Sequence, residues 1–346
     1  MHPKPIKILY GIQGTGNGHI SRSLILIEAL AKEIGIDNID ILISGQNYSL
    51  DIPYKIKYHF TGLSFNYGNA GKVALWKSIR NLQLKEFTKD IRSIPFHIYN
   101  LVITDQEPIS AWGAKKHNIP SIGIGNIYAL ESTSLKRLFL HKLMTKCFQK
   151  IYCPVKNKIV LDFTRKQANT FYPLLSDDFM QAKVKHHSFT LVYLLSYSLY
   201  EILEKLSDVQ LAEKCFVVYS KEVQSPLRYK NVYIKPISKS AFKKDLMNCS
   251  QLISTAGFQT IAEALFMQKK ILLIPIKGQP EQKANAIMLS KHHVKRIRRL
   301  DAAKIHSWLF DSESTPIVFK DDKEAIVQAI LKSIQHTNSP SNLTLA

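Results

Sequence analysis

The chain reads as α/β, with two doubly wound parallel sheets built one after the other. Three observations lead there. Apolar runs of strand length alternate with helical periodicity through both halves. A turn of small residues joins strand to helix in each half, at 14–19 and at 254–260. The 346 residues suffice for two ordinary domains, each able to bury its own core.

In the first half, residues 6–12 form an apolar strand that breaks at the glycine-rich turn and gives way to a helical pattern over 20–32. Residues 39–44 give the next strand, 101–104 another ending at Asp105, and 121–125 a fourth; 150–153 closes the set at Pro154. In the second half strands are expected over 190–195, 215–219, 232–234, 251–254 and 270–276. Helical patterns lie between them, clearest at 198–206 and 241–247. Residues 155–186 show no clear period and are expected to link a first domain, 1–154, to a second, 187–335. A last helix over 323–334 precedes a polar tail, 336–346, that reads as disordered.

The second small-residue turn carries the densest chemistry. Ser254-Thr-Ala-Gly257 ends a strand, Thr260 and Glu263 lie in the first turns of a helix, and Pro275 ends the following strand. Glu281, Gln282 and Asn285 begin the next helix. Small residues and N–H groups at a helix start suit a phosphate. A carboxylate one turn further along suits vicinal ribose hydroxyls. The ordered set describes a cradle for a nucleoside diphosphate at the carboxyl ends of parallel strands, where open α/β sheets bind ligands.

The first turn, Gly14-Thr15-Gly16-Asn17-Gly18-His19, fits neither the dinucleotide fingerprint nor a Walker A loop. Its distinctive residue is His19 at the helix start, with Ser21 and Arg22 beside it. The positive end of a helix disfavours a second positive charge, and a neutral imidazole suits deprotonation of an acceptor hydroxyl. Asp105 closes the 101–104 strand and is a candidate to orient that base or bind the acceptor; Glu107 is a weaker one.

These two loops resemble those of GT-B glycosyltransferases that use nucleotide sugars. The similarity is greatest to the group of the peptidoglycan lipid-linked N-acetylglucosamine transferase, a cell-envelope enzyme group, and its uncharacterised relatives. The resemblance covers nearly the whole chain and implies two Rossmann-like domains facing across a cleft. It also implies that Gly14, Gly16 and Gly18 approach donor pyrophosphate or acceptor, and that His19 is the base. Donor binding falls to Gly257, Thr260, Glu263, Glu281, Gln282 and Asn285, with uracil the expected base. Ala256 departs from the pattern, where relatives often carry another glycine.

The expected reaction is metal-independent hexosyl transfer with inversion. No Asp-x-Asp motif is present, and the adjacent pairs His186-His187 and His292-His293 cannot both face one metal from a regular element. No metal or other cofactor is expected, and the leaving diphosphate would rely on helix N-termini and a cation such as Arg22. Neither a Gly-x-Ser-x-Gly elbow nor a deaminase signature occurs. An epimerase or hydrolase on the same architecture would need a second acid–base constellation. A nucleic-acid-binding protein would leave the nucleotide cradle unexplained, and no helix-turn-helix, zinc finger or RNP-type motif supports it.

The formal charge of +20 is the compositional outlier. It favours polyanions or an anionic membrane face as partners. Lysine and arginine are densest over 136–150 and 291–299. Residues 134–148 read as a basic amphipathic helix, and 65–80 as an aromatic-basic stretch with Tyr67, Trp76 and Lys77. The acceptor is therefore expected to be a glycan or to be lipid-linked. The four cysteines show no pairing or ligand spacing and read as buried thiols of a reducing compartment. With neither a leader-like start nor an apolar run near membrane length, a cytoplasmic protein is expected, peripheral on the inner membrane face.

Overall fold

A computed structural model describes residues 6–46, 48, 51–62, 84–132, 139–164, 169–183, 185, 187–311, 317 and 320–337. The aromatic-basic stretch 65–80, residues 134–138, His186 and the tail from 338 lie outside the described residues. The chain divides into two compact units, one holding the described residues up to Leu174 and from Lys320 onward, the other holding those between.

In the first unit the strands are β1 (Ile8–Gln13), β2 (Ile39–Ser44), β3 (Ile56–Phe60), β4 (Leu101–Asp105), β5 (Ser121–Gly125), β6 (Asn157–Leu161) and β7 (Thr170–Phe171). They pair in the order β3-β2-β1-β4-β5-β6-β7, every pair parallel. Helices α1 (Asn17–Ile34), α2 (Leu84–Ser93), α3 (Pro108–Lys116), α4 (Ala129–Ser132) and α5 (Phe139–Tyr152) belong to this unit. β1 and β4 are buried at every position, as central parallel strands covered on both faces must be. One face packs Leu9, Leu42 and Val102 against Ile91, Phe96 and Ile109.

The second unit repeats the plan. Its strands are β8 (His187–Tyr193), β9 (Phe216–Ser220), β10 (Leu227–Tyr229), β11 (Val232–Pro236), β12 (Cys249–Ser254), β13 (Lys270–Leu273) and β14 (Lys295–Arg296). The order is β10-β11-β9-β8-β12-β13-β14, parallel except for the β10–β11 hairpin. Its helices are α6 (Asp177–Met180), α7 (Leu199–Leu206), α8 (Lys239–Asn248), α9 (Phe258–Phe266), α10 (Pro280–Leu289) and α11 (Ala302–Phe310). α7 starts at a reciprocal capping box of Ser198 and Glu201.

In both sheets the strand order reverses between two neighbours, β1 and β4 in the first and β8 and β12 in the second. Loops leaving such neighbours at their carboxyl ends diverge and open a crevice. This is where both glycine turns lie.

Three boundaries differ from expectation. Residues 155–186 are not one linker: β6 and β7 complete the first sheet, while α6 groups with the second unit. The chain also returns to the first unit with α12 (Lys323–Thr337), which packs on α1 and buries Ile326, Val327, Ile330 and Ile334. Asp322 accepts the Tyr172 N–H at 2.9 Å, tying that return to the outgoing chain. Third, residues 150–153, expected as a strand, are the last turn of α5 and the residue after it. Two cysteines also depart from expectation: Cys153 and Cys249 are buried, but Cys147 and Cys215 are exposed.

Candidate active site

The glycine turn after β1 is held by the turn after β2. The Gly14 N–H donates to the Ser44 carbonyl at 2.6 Å, and a Cβ on Gly14 would stand 2.8 Å from the Gly45 carbonyl oxygen. Packing within the chain thus by itself requires glycine at position 14. Gly16 and Gly18 differ, because a Cβ on either would meet nothing within 4 Å. They border open space at the start of α1, where no side chain caps the helix.

α1 then places His19, Arg22 and Ser23 against the end of β4. His19 Nδ1 lies 2.8 Å from Asp105 Oδ1. Arg22 Nε donates to Asp105 Oδ2 at 2.5 Å, Nη2 donates to Oδ1, and Nη1 donates to Asn126 Oδ1 at 3.2 Å. Ser23 adds a hydroxyl bond to Oδ2 at 3.2 Å. The spacing of three between His19 and Arg22 is one helical turn, so both reach the same carboxylate.

Burial alone would raise the Asp105 carboxyl, but Arg22 and His19 outweigh it and hold the group at about 2. Asp105 is therefore an anion at neutral pH, buried to the last per cent, while the His19 side chain keeps 24% exposure. A fixed carboxylate on Nδ1 assigns the ring proton there and leaves Nε2 as the accepting nitrogen. Arg22 Nη2 also stands 2.9 Å from Nδ1, and with the proton on Nδ1 both groups point at the shared Oδ1.

Glu107 has a different task. It caps α3, accepting the Ile109 N–H at 2.8 Å and the Ser110 N–H at 2.6 Å, and it is fully buried. Between the two acids stands Gln106, buried and at φ 59, a left-handed backbone that a non-glycine residue adopts only at a cost. Its Oε1 accepts from Gln149 of α5 at 3.1 Å, and Tyr152 of α5 donates to Gln13 at 3.0 Å. Asn126, Gln106 and Ser23 were not legible as site residues, because nothing local marks them.

In the second unit Gly257 precedes α9, whose start has no side-chain cap, and a Cβ there would meet nothing within 4 Å. Two amides fix the loops on either side. Gln282 Oε1 accepts from the Ala256 N–H at 3.2 Å and from the Ile276 N–H at 3.1 Å. Asn285 Nδ2 donates to the Ala256 carbonyl at 3.0 Å. Gln282 and Asn285, expected as ligand contacts, pin the β12–α9 loop to the β13–α10 loop, with Asn285 buried.

Glu263 and Thr260 are half-buried on α9, and Glu281 is half-buried in the first turn of α10. Burial pushes the Glu263 carboxyl up to about 7, against smaller opposing effects of Gln259, which donates to it at 3.2 Å, and of Lys243 and Lys239. A carboxylate tuned toward neutral close to an open glycine turn makes Glu263 a binding-site candidate. Among the described residues no group of three or more His, Cys, Asp or Glu is placed to hold a metal ion.

The comparisons with known proteins agree with this fold. A family model described as Glycosyl transferase family 1 matches residues 6–311. A search of curated proteins finds no match. Among solved structures, the glycosyltransferase SnogD of Streptomyces nogalater is similar, with a TM-score of 0.54 at 14% identity over 95% of each chain. Phytolacca americana UGT2, solved with UDP-2fluoro-glucose and pterostilbene, gives 0.56 at 11% identity, covering 97% of this chain and 95% of its own. Acinetobacter baumannii MurG gives 0.56 at 14%, covering 95% of this chain and all of its own. Two parallel-rich seven-stranded sheets in this order are the GT-B fold. With the family model spanning both sheets, the chain belongs to glycosyl transferase family 1 and is a glycosyltransferase.

Proposed function

We propose that the protein moves a hexosyl group from a UDP-sugar to an acceptor hydroxyl, with inversion and without a metal ion. The observation that carries the reading is the His19–Asp105 contact of 2.8 Å at the sheet's reversal point, matched in the second unit by an uncapped glycine turn.

The acceptor hydroxyl gives its proton to His19 Nε2 as its oxygen attacks the anomeric carbon. The bond from that carbon to the diphosphate oxygen breaks from the opposite face, which inverts the centre. Asp105 keeps the ring oriented and balances the imidazolium that forms. The leaving diphosphate lies at the start of α9, where the helix dipole and backbone N–H groups favour negative charge. Glu263 and Glu281 take ribose or sugar hydroxyls. Arg22 does not serve the diphosphate in this scheme, because its guanidinium is committed to Asp105 and Asn126. Similarity to MurG and the basic surface extend the reading to an acceptor at a lipid surface, reached from the cytoplasmic side. No helix among the described residues is long and apolar enough to cross a membrane.

A thermal-shift panel of nucleoside diphosphates and nucleotide sugars tests the donor, because a ligand of the folded state raises the melting temperature by mass action. UDP-sugars should give the largest shift. Glu281→Ala and Thr260→Ala should each weaken binding by about 1–3 kcal/mol. Unchanged affinity for every nucleotide sugar in both variants would remove the assignment.

A further inference from the structure

α5 is built the wrong way round for a surface helix. Its sequence, FLHKLMTKCFQKIY, contains no acid. At about 100° per residue, Phe139, Leu143, Lys146, Cys147, Lys150 and Ile151 share an arc of roughly 140°. That arc faces outward: Phe139 is 68%, Leu143 51% and Ile151 72% exposed, and Lys146, Cys147 and Lys150 are exposed as well. The opposite arc carries Phe148, Gln149 and Tyr152 into the unit, Phe148 and Tyr152 stacked at 4.8 Å. The helix is anchored from within, so the outward face is not a helix that has failed to dock. Trp112 Nε1 donates to the Ile151 carbonyl at 2.9 Å, and Gln149 and Tyr152 reach Gln106 and Gln13 at the strand ends beside the His19–Asp105 pair.

We propose that the outward face of α5 docks on an anionic lipid surface, with Phe139, Leu143 and Ile151 entering the headgroup boundary and Lys146 and Lys150 contacting lipid phosphates. Three large apolar side chains spaced over about 18 Å of helix interleave with cations and with no anion. That combination matches an interfacial helix. Charge decides against a second copy of this chain: self-pairing of the face sets its lysines against one another in a protein of formal charge +20. The inference deepens the reading of an acceptor held at a lipid surface and rests on it for its biological sense. The binding itself does not need the transfer reaction. The helix that would meet the lipid also braces the strand ends carrying the candidate base pair, so docking would bring that pair close to a membrane-borne acceptor.

Sedimentation of the whole protein with vesicles tests the surface. At low salt, wild type should bind phosphatidylglycerol vesicles and not phosphatidylcholine vesicles, and 0.5 M salt should release it. A lysine at an anionic leaflet contributes roughly fivefold in partitioning, so Lys146→Glu with Lys150→Glu should cost at least about 20-fold. Phe139→Ser with Ile151→Ser should lose binding comparably, and tryptophan fluorescence of Phe139→Trp should shift to the blue on anionic vesicles. The proposal falls if wild type binds neither vesicle or both equally. It also falls if the charge-reversed variant binds like wild type, or if Phe139→Ser with Ile151→Ser abolishes a concentration-dependent self-association instead. UDP thermal shifts on the same variants separate the two readings: retained UDP stabilisation without vesicle binding removes the docking surface alone. Vesicle binding without any UDP stabilisation leaves the surface standing and removes the donor.

Discussion

The two glycine turns occupy equivalent places in equivalent sheets yet are built from different chemistry. The turn after β1 overlies a buried ionic network in which Asp105 is shared by His19, Arg22 and Ser23. The turn after β12 is held by neutral amides, Gln282 and Asn285, bonded to backbone, and its titratable neighbour Glu263 sits near its point of half-ionisation at neutral pH. The topology supplies a crevice twice, and the side chains decide what each crevice does. A site that moves a proton needs a fixed charge to hold the base. A site that binds a diphosphate needs exposed N–H groups and loops that do not collapse into them.

Breaking the first network should produce the largest effects. His19→Ala should lower turnover by about 10²–10⁴-fold while donor binding survives, measured with a UDP-sugar and any acceptor that supports transfer. Full turnover in that variant would pass the base role to Asp105. Asp105→Asn strands Arg22 as a buried, unbalanced cation, and removing one partner of such a pair costs about 3–5 kcal/mol, readable by urea unfolding. The sign with pH follows from the lowered carboxyl: its stabilisation is present above the ordinary carboxylate range and is lost as pH falls toward about 2. Wild type should therefore lose this stability between roughly pH 4 and 2, and the Asn variant should lack that step.

Effects in the second unit should be smaller and should show in donor binding. Gln282→Ala leaves the N–H groups of Ala256 and Ile276 without their acceptor. A buried donor so orphaned costs about 1–3 kcal/mol, and both melting temperature and UDP-sugar affinity should fall. Normal affinity with lowered stability would confine Gln282 to a structural role. The smallest expected effect is a slope. Glu263 favours its protonated form below about 7, so its contribution to stability is full below its ordinary value near 4.5 and fades as pH rises through 7. Hydroxyl donors prefer the carboxylate, so affinity for a UDP-sugar should rise about tenfold from pH 6 to 8. Glu263→Gln should flatten that slope, and an unchanged slope would dissociate Glu263 from the donor.

Much of this was legible in the residues because the signals are local. Apolar runs such as ILYGIQ and CSQLIS mark strands, glycine marks the turns, and His19 stands one residue past the last glycine of its loop. Short edge strands were not legible: β7 has two residues and β14 two, too few for a period to show. The last turn of α5 read as a strand because Ile151, Tyr152 and Cys153 are apolar in succession, although only Tyr152 and Cys153 of these are buried.

The sequence by itself determined the alternation of strand and helix, the two small-residue turns and the candidate base, since each depends on neighbours within a turn or a strand. Tertiary structure decided the partners. Arg22 reaches Asp105 across 83 positions, Asn285 reaches Ala256 across 29, and α12 rejoins the first unit after the whole second unit has intervened. Side-chain type announces what bonds a residue can make. Which of its possible partners it meets is set by how sheets stack strands that are distant in the chain, and that choice made Arg22 a clamp on Asp105 and Gln282 a pin.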